Sequence, residues 1–311
     1  HLRPCTDNLP EGHERMNIVI LGCGYLGYNL ASALQDKHQV TALGWKSPYR
    51  EGKFHYEERD CFQRGFTQGL PLEGAVVIDA VGLIGNRDSG DEASALSVLH
   101  EKYTILFDEL AERKIDRFLF FSSGGTVYGS SPAPVSEDSP LQPGSLYARS
   151  KVMLEGMIPE CRFPGLILRL SNPYGGKQDP HKSQGVIPIL IRKALKNELF
   201  EMYSRPGSVR DYFYIDDLCR AVEALLEKDV REGILNVGSG KGTALSDLIR
   251  LCEEATGSRI RMEYHDPGEN DLETNILDVR RIRELTGWQA KVELHEGIRR
   301  ETERIRKEEG L

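Results

Sequence analysis

The chain has 311 residues, 39% hydrophobic and 28% charged, a composition ordinary for one large globular domain or two closely joined ones. Its 40 basic and 48 acidic residues give a net charge of −8 without a basic block, which disfavours nucleic-acid or membrane-surface binding. Six scattered cysteines form no C-x-x-C pair or His/Cys cluster, so neither a disulfide framework nor a metal site is expected. No apolar run approaches the roughly 20 residues of a membrane span. Residues 1–15 are polar and read as a leader or remnant before Met16, and a reducing cytoplasm is the expected setting.

Asn17 to Leu21 reads as a buried strand, followed by helical spacing at Leu26, Leu30, Ala33 and Leu34 and a second strand from Gln39 to Leu43. Ala75 to Ala80 is the next strand. A long helix follows, marked by Ala93, Leu96, Leu99, Tyr103, Leu106 and Leu110. Arg117 to Phe121 and Gly165 to Leu170 complete the first half. Strands apolar on both faces, alternating with amphipathic helices, predict a parallel sheet covered by helices. Past Asn172 the pattern loosens. A helix near Val186–Asn197, short strands near Leu199–Tyr203 and Tyr212–Tyr214, and helices near Asp216–Glu227, Leu245–Ala255, Val279–Thr286 and Glu296–Lys307 predict a smaller α/β cap. The expected division is thus 16–171 for a Rossmann-type doubly wound nucleotide-binding domain and 172–311 for a mainly substrate-binding cap, with segments able to return to the first domain.

Gly22-Cys23-Gly24-Tyr25-Leu26-Gly27 lies between the first strand and helix. Gly22 permits the tight turn, Gly24 the approach of a pyrophosphate, and Gly27 close helix–strand packing, so this G-x-G-x-x-G points to a dinucleotide. The helix start offers free amides to the phosphates. Tyr147 and Lys151 stand four residues apart, on one face of a helix. An ammonium beside a phenol stabilises the phenolate, which suits general acid–base work at a carbinol. Upstream, Ser122-Ser123-Gly124-Gly125-Thr126 ends a strand where ligands of open parallel sheets bind, and Ser123 or Thr126 could hydrogen-bond a ligand oxygen. Asp216 and Asp217 open a helix and read as capping carboxylates, and the run from Arg299 to Glu309 as a solvated face. The histidines show no ligand spacing; His100 is placed on the long helix near the cofactor, without a metal.

GCGYLG, FFSSGGTVYG, YARSK, Arg169-Leu-Ser-Asn172-Pro-Tyr174-Gly175, Arg210-Asp-Tyr-Phe-Tyr-Ile-Asp-Asp217 and Asn236-Val-Gly238-Ser-Gly240 occur in order over Met16 to Lys307. In this set the chain resembles the NAD-dependent epimerase/dehydratase family of extended short-chain dehydrogenases. The resemblance implies NAD, with NADP a possibility, bound by Gly22, Gly24, Tyr25, Leu26, Gly27, Lys46, Val81, Gly82, Tyr147 and Lys151. It implies a nucleotide-diphosphate sugar as substrate, held by Ser123, Thr126, Asn172 and Arg210, with Tyr147, Lys151, Ser123 and Thr126 serving the chemistry. It further implies a homodimer through the helices around Leu99–Leu110 and Tyr147–Ile158, and a place in carbohydrate metabolism such as polysaccharide biosynthesis. Epimerisation at sugar C4 through a 4-keto intermediate is the first reading. An NADPH-dependent reductase of a 4-keto-6-deoxy sugar nucleotide is the alternative, and a non-catalytic cofactor-binding sensor is disfavoured because Tyr147 and Lys151 are both present.

Three departures stand out. The family usually ends its second strand in an acidic residue that binds the adenosine ribose; here that place is Gly44, followed by Trp45-Lys46-Ser47, where Lys46 could meet a 2′-phosphate. A family hydroxyl falls on Gly124, and the Asp-Glu pair of 4,6-dehydratases falls on Gly125 and Thr126, which disfavours dehydration. Asp266 stands where a late arginine usually precedes Pro-Gly-Asp, here Pro267-Gly268-Glu269, leaving a second diphosphate clamp in doubt.

Overall fold

The computed structural model describes residues 15–85, 90–182, 185–267 and 271–311. Gly268 and Glu269 lie outside these. A seven-stranded sheet forms the centre, built from β1 (Asn17–Leu21), β2 (Gln39–Gly44), β3 (His55–Glu58), β4 (Val76–Asp79), β5 (Arg117–Ser123), β6 (Gly165–Leu170) and β10 (Gly233–Val237). All pair in parallel in the order β10-β6-β5-β4-β1-β2-β3. The chain thus winds outward from β1 in both directions, the doubly wound arrangement expected from alternating apolar strands and helices. β3 is polar and half exposed, which is why periodicity does not reveal this edge strand. β10 comes from past residue 172 and returns to extend the first-half sheet.

Period-two alternation sends successive strand residues to opposite faces. Ile18 and Ile20 face a core shared with α1 (Tyr25–Leu34), α5 (Val186–Lys196), α6 (Ile215–Glu227), α7 (Leu245–Thr256) and α9 (Leu294–Glu309). Val19 and Leu21 face a second core shared with α2 (Glu92–Ala111) and α4 (Leu146–Met157). In α2 the buried positions Leu99, Tyr103, Leu106, Phe107 and Leu110 follow the helical stripe. A four-residue helix, α3 (Gly124–Val127), continues directly from β5.

In the second half, β9 (Val209–Tyr214) pairs with β7 (Asn172–Tyr174), β11 (Gly242–Ala244) and β13 (Thr274–Asn275). β8 (Leu199–Met202) and β12 (Arg261–Tyr264) make a separate two-stranded sheet, and α8 (Arg280–Thr286) precedes α9. The run from Arg299 to Glu309 is not a fully solvated face: Glu301, Thr302 and Ile305 of α9 are buried, with exposed ion pairs such as Arg299–Glu296 on the other side. Asp216 and Asp217 do not cap α6, whose start has no side-chain cap. Asp217 is buried and instead accepts hydrogen bonds from the Lys291 and Val292 amides at 2.8 and 3.0 Å, tying the approach to α9 onto α6. Among the described residues the cysteines are unpaired, no helix is long and apolar enough to cross a membrane, and no His/Cys/Asp/Glu group could hold a metal. His100 is exposed on α2.

Candidate active site

The glycine-rich turn leaves β1 with Gly22 at φ 87°, a left-handed conformation that disfavours other residues. The Gly22 and Cys23 amides donate to the Leu43 carbonyl at 3.0 and 2.8 Å, holding the turn against β2. A Cβ on Gly27 would collide with the Gly22 carbonyl, so the helix approaches the strand only because residue 27 is glycine. A Cβ on Gly24 would meet nothing within 4 Å, so this exposed turn leaves open space before the free amides of α1. That combination of close packing behind and room in front is what a pyrophosphate requires. Tyr25 and Leu26 turn inward instead. Leu26 packs on the core, and the Tyr25 hydroxyl is buried without a partner beside Glu301. Burial, reinforced by the Glu301 carboxylate, pushes its ionisation well above the ordinary tyrosine range.

After β2 the chain passes through Trp45, Lys46 and Ser47, with Lys46 exposed and its ammonium 5.9 Å from the Trp45 ring. Ser47 is buried and its hydroxyl donates to the Cys23 carbonyl, while the Cys23 thiol donates to the Tyr49 carbonyl at 3.1 Å. This segment is therefore fastened to the glycine-rich turn. After β4, the Val81 amide donates to Asp79 Oδ1 at 2.9 Å and the Tyr103 hydroxyl to Oδ2 at 2.7 Å. Burial raises the Asp79 carboxyl above its usual range, and the Lys151 charge works against that rise. Next to it Gly82 is exposed, with space where a Cβ would be.

The catalytic candidates converge at the carboxyl end of β5. Ser145 caps α4 by accepting from the Ala148 amide at 3.1 Å, which puts Tyr147 and Lys151 in its first two turns. The buried Lys151 ammonium donates to the Phe121 carbonyl at 2.8 Å and lies 5.8 Å from the centre of the Tyr147 ring. Thr126 Oγ1 donates to Ser123 Oγ at 2.9 Å, so these two hydroxyls form one polar group at the start of α3. One turn beyond Lys151, the buried Glu155 receives Arg169 from β6, with Nη2 2.6 Å from Oε2. Arg169 also donates to the Tyr128 hydroxyl at 2.9 Å, and Tyr128 to Asn236 of β10 at 2.7 Å. The four-residue spacing of Tyr147, Lys151 and Glu155 is the sequence signal for this anchor.

On the cap side, parallel pairing sets Asn172 of β7 opposite Tyr212 of β9, with Arg210 two residues earlier on the same face. Asn172 Nδ2 donates to the Asp211 carbonyl at 2.8 Å and its amide borders Gly125. The half-buried Arg210 has Nη1 3.0 Å from the Val209 carbonyl and Nη2 3.4 Å from Asp271. Burial lowers the Arg210 guanidinium from its usual range.

Residues 18–238 match the NAD dependent epimerase/dehydratase family. The chain belongs to that family. It is 35% identical over 298 residues to a putative UDP-glucose 4-epimerase of Methanocaldococcus jannaschii, covering 92% of this chain and 96% of the relative. It is 38% identical over 196 residues to a dTDP-4-dehydro-6-deoxyglucose reductase of Escherichia coli, which covers 62% of each protein. A crystal structure of Thermus thermophilus UDP-glucose 4-epimerase in complex with NAD superposes with a TM-score of 0.83 at 25% identity, over 94% of this chain and 99% of that one.

Within this epimerase/dehydratase scaffold, packing accounts for the glycines at positions 124 and 44. A Cβ on Gly124 would stand 2.7 Å from Leu277 Cδ1 and 3.0 Å from the Arg169 carbonyl, so Leu277, between β13 and α8, occupies the space a side chain there would need. At Gly44, a Cβ would stand 2.8 Å from the Tyr56 ring and hydroxyl. Neither neighbour could be anticipated, because each comes from a different element.

Proposed function

We propose that this protein is a nucleotide-sugar 4-epimerase that uses NAD. The observations that carry the reading are Lys151 fixed on the Phe121 carbonyl of β5 and 5.8 Å from the Tyr147 ring, the Ser123–Thr126 hydroxyl pair at the end of the same strand, and a first βα turn with open space at Gly24. The near full-length match to a putative UDP-glucose 4-epimerase supports a UDP-sugar as the substrate class.

The cofactor's contribution when bound is to take hydride from sugar C4 and return it to the opposite face. The protein's part is acid–base and positional. Tyr147 receives the C4 hydroxyl proton as the carbonyl forms and returns it afterwards. The Lys151 ammonium, fixed by the Phe121 carbonyl and 5.8 Å from the centre of the Tyr147 ring, sets a positive charge beside that proton transfer. Ser123 and Thr126 hold the oxygen at C4, and because one hydroxyl already satisfies the other, the pair is oriented before substrate arrives. Asn172 and Arg210 face the sugar-diphosphate side, with Arg210 supplying charge to the diphosphate.

The second reading, a reductase of a 4-keto-6-deoxy sugar nucleotide, is favoured by the 38% identity to the E. coli reductase and by the absence of a carboxylate at Gly44. Denaturing the purified protein and identifying the released nucleotide separates the two. Stoichiometric NAD is expected for a cofactor recycled in place; an empty protein that consumes NADPH once per turnover would establish the reductase. We also infer a cytoplasmic homodimer joined through α2 and α4. The two helices lie side by side, bridged by Arg149 and Glu92 at 2.6 Å, and Val98 of α2 is exposed. A monomeric mass in solution scattering would exclude the dimer.

A further inference from the structure

We infer that Glu301 of α9 is a positioning residue, one that aligns the strand pair carrying Asn172 and Arg210 with the dinucleotide turn. The inference rests on the proposed roles of Asn172 and Arg210 in holding the nucleotide sugar. Both stand early in their strands, Asn172 opening β7 and Arg210 second in β9, and the parallel pair runs on to Tyr174 and Tyr214. Those far ends meet α9. The approach is close because residue 297 is glycine: a Cβ there would collide with the Tyr174 hydroxyl and stand 2.9 Å from the Tyr214 ring. The Tyr174 hydroxyl donates to the Leu294 carbonyl at 3.3 Å, and the two tyrosine rings meet edge-on with centres 5.4 Å apart.

The buried Glu301 carboxylate completes this junction. Its Oε1 accepts from the Gly176 amide, just past β7, at 2.9 Å and from the Tyr214 hydroxyl, at the end of β9, at 3.2 Å. One oxygen thus gathers both strand ends. Its Oε2 is held by Arg304 Nη2 at 2.8 Å and Nε at 3.0 Å, so the charge is compensated within α9. The loop that Glu301 holds also touches the dinucleotide side. Gly176, at φ 64°, lies so close to α1 that a Cβ would collide with Asn29 Oδ1, and the Lys177 amide donates to that oxygen at 3.4 Å. The Tyr49 hydroxyl donates to the Lys177 carbonyl at 2.9 Å, and the Tyr49 carbonyl in turn accepts the Cys23 thiol of the glycine-rich turn. Without Glu301, β7 and β9 stay paired through their own ladder, so the groups that grip the nucleotide sugar stay together. What is lost is the fixed placement of that pair against α1, on which the distance from sugar to dinucleotide depends.

Two double variants of the full chain test this while sparing the fold. Glu301→Leu with Arg304→Met removes the acceptor and its compensating charge together, so that neither buried charge is stranded. Glu301→Gln with Arg304→Met removes the same charges but keeps an oxygen for Gly176 and Tyr214. On UDP-glucose the leucine variant should lose about tenfold in kcat, while calorimetry with UDP and with NAD⁺ finds each Kd changed by less than about threefold. The glutamine variant should keep kcat within about threefold of wild type. Equal kcat in the two double variants, or a loss of UDP affinity as large as the loss of kcat, would overturn the inference and leave Glu301 a structural residue. Should the leucine variant fail to fold, Tyr214→Phe keeps the ring and removes one strand's tie to the carboxylate. Its kcat should fall by about threefold at unchanged UDP affinity, and an unchanged kcat would overturn the inference equally. Wild type inactive on UDP-glucose and other UDP-hexoses would instead overturn the proposed function, and this inference with it.

Discussion

The two sides of the candidate site are built to different standards of rigidity. On the Rossmann side, α4 is gripped from behind by the buried Arg169–Glu155 pair, whose contacts run from 2.6 to 3.2 Å, and from the site side by Lys151 on the Phe121 carbonyl at 2.8 Å. On the cap side, Arg210 meets Asp271 at 3.4 Å, and that buried carboxylate is otherwise held by the Arg205 amide at 3.2 Å and the Ser208 hydroxyl at 3.4 Å. Groups that move protons must be placed before the substrate arrives, because small misplacements cost rate directly. In the proposed diphosphate role, Arg210 would exchange its contacts with the Val209 carbonyl at 3.0 Å and Asp271 at 3.4 Å for charge-assisted ones.

Four measurements break or sharpen this contrast. Tyr147→Phe should lower kcat by about a thousandfold with KM nearly unchanged, since the phenol acts in proton transfer and the ring remains. Turnover at the wild-type rate would remove Tyr147 from the chemistry. Glu155→Ala should destabilise the fold by about 3 kcal/mol in urea unfolding, because it strands the buried Arg169 charge. Replacing both members by apolar residues, as in Glu155→Leu with Arg169→Met, should cost less than the single change, whereas a larger cost would show the pair to be stabilising beyond mutual compensation. Arg210→Ala should raise KM by about tenfold with a small change in kcat, the sign of lost ground-state binding. If kcat fell instead, Arg210 would belong with the rigid side. Asp271→Asn should lower KM by about threefold, by freeing Arg210 from a competing carboxylate. A raised KM would mean that Asp271 orients Arg210 for the substrate.

The sequence made the rigid side readable and left the other largely hidden, for a physical reason. Gly22, Gly24 and Gly27, and likewise Tyr147 and Lys151, act through spacings within one turn or one helix, so local geometry already implies their roles. The alternation of Ile18 and Ile20 against Val19 and Leu21 likewise encodes a sheet with two covered faces. Leu277 filling the space at Gly124, Tyr56 covering Gly44 and Asp271 facing Arg210 are all contacts between distant segments, which no local pattern announces. The same holds for Asp217. Its position at a helix start suggested a cap, but tertiary packing hands its carboxylate to the amides of Lys291 and Val292.

The return of β10 to the central sheet has a consequence for how this protein can be divided. A fragment ending at Ser171 would keep the glycine-rich turn, Tyr147 and Lys151, yet it would bare the hydrogen-bonding edge of β6 and leave Tyr128 without the Asn236 oxygen it donates to. During synthesis, the central sheet therefore waits for Val237 to emerge before it is complete. Loop grafts and fusion points that spare the central sheet belong between elements past Val237, not at the midpoint of the chain.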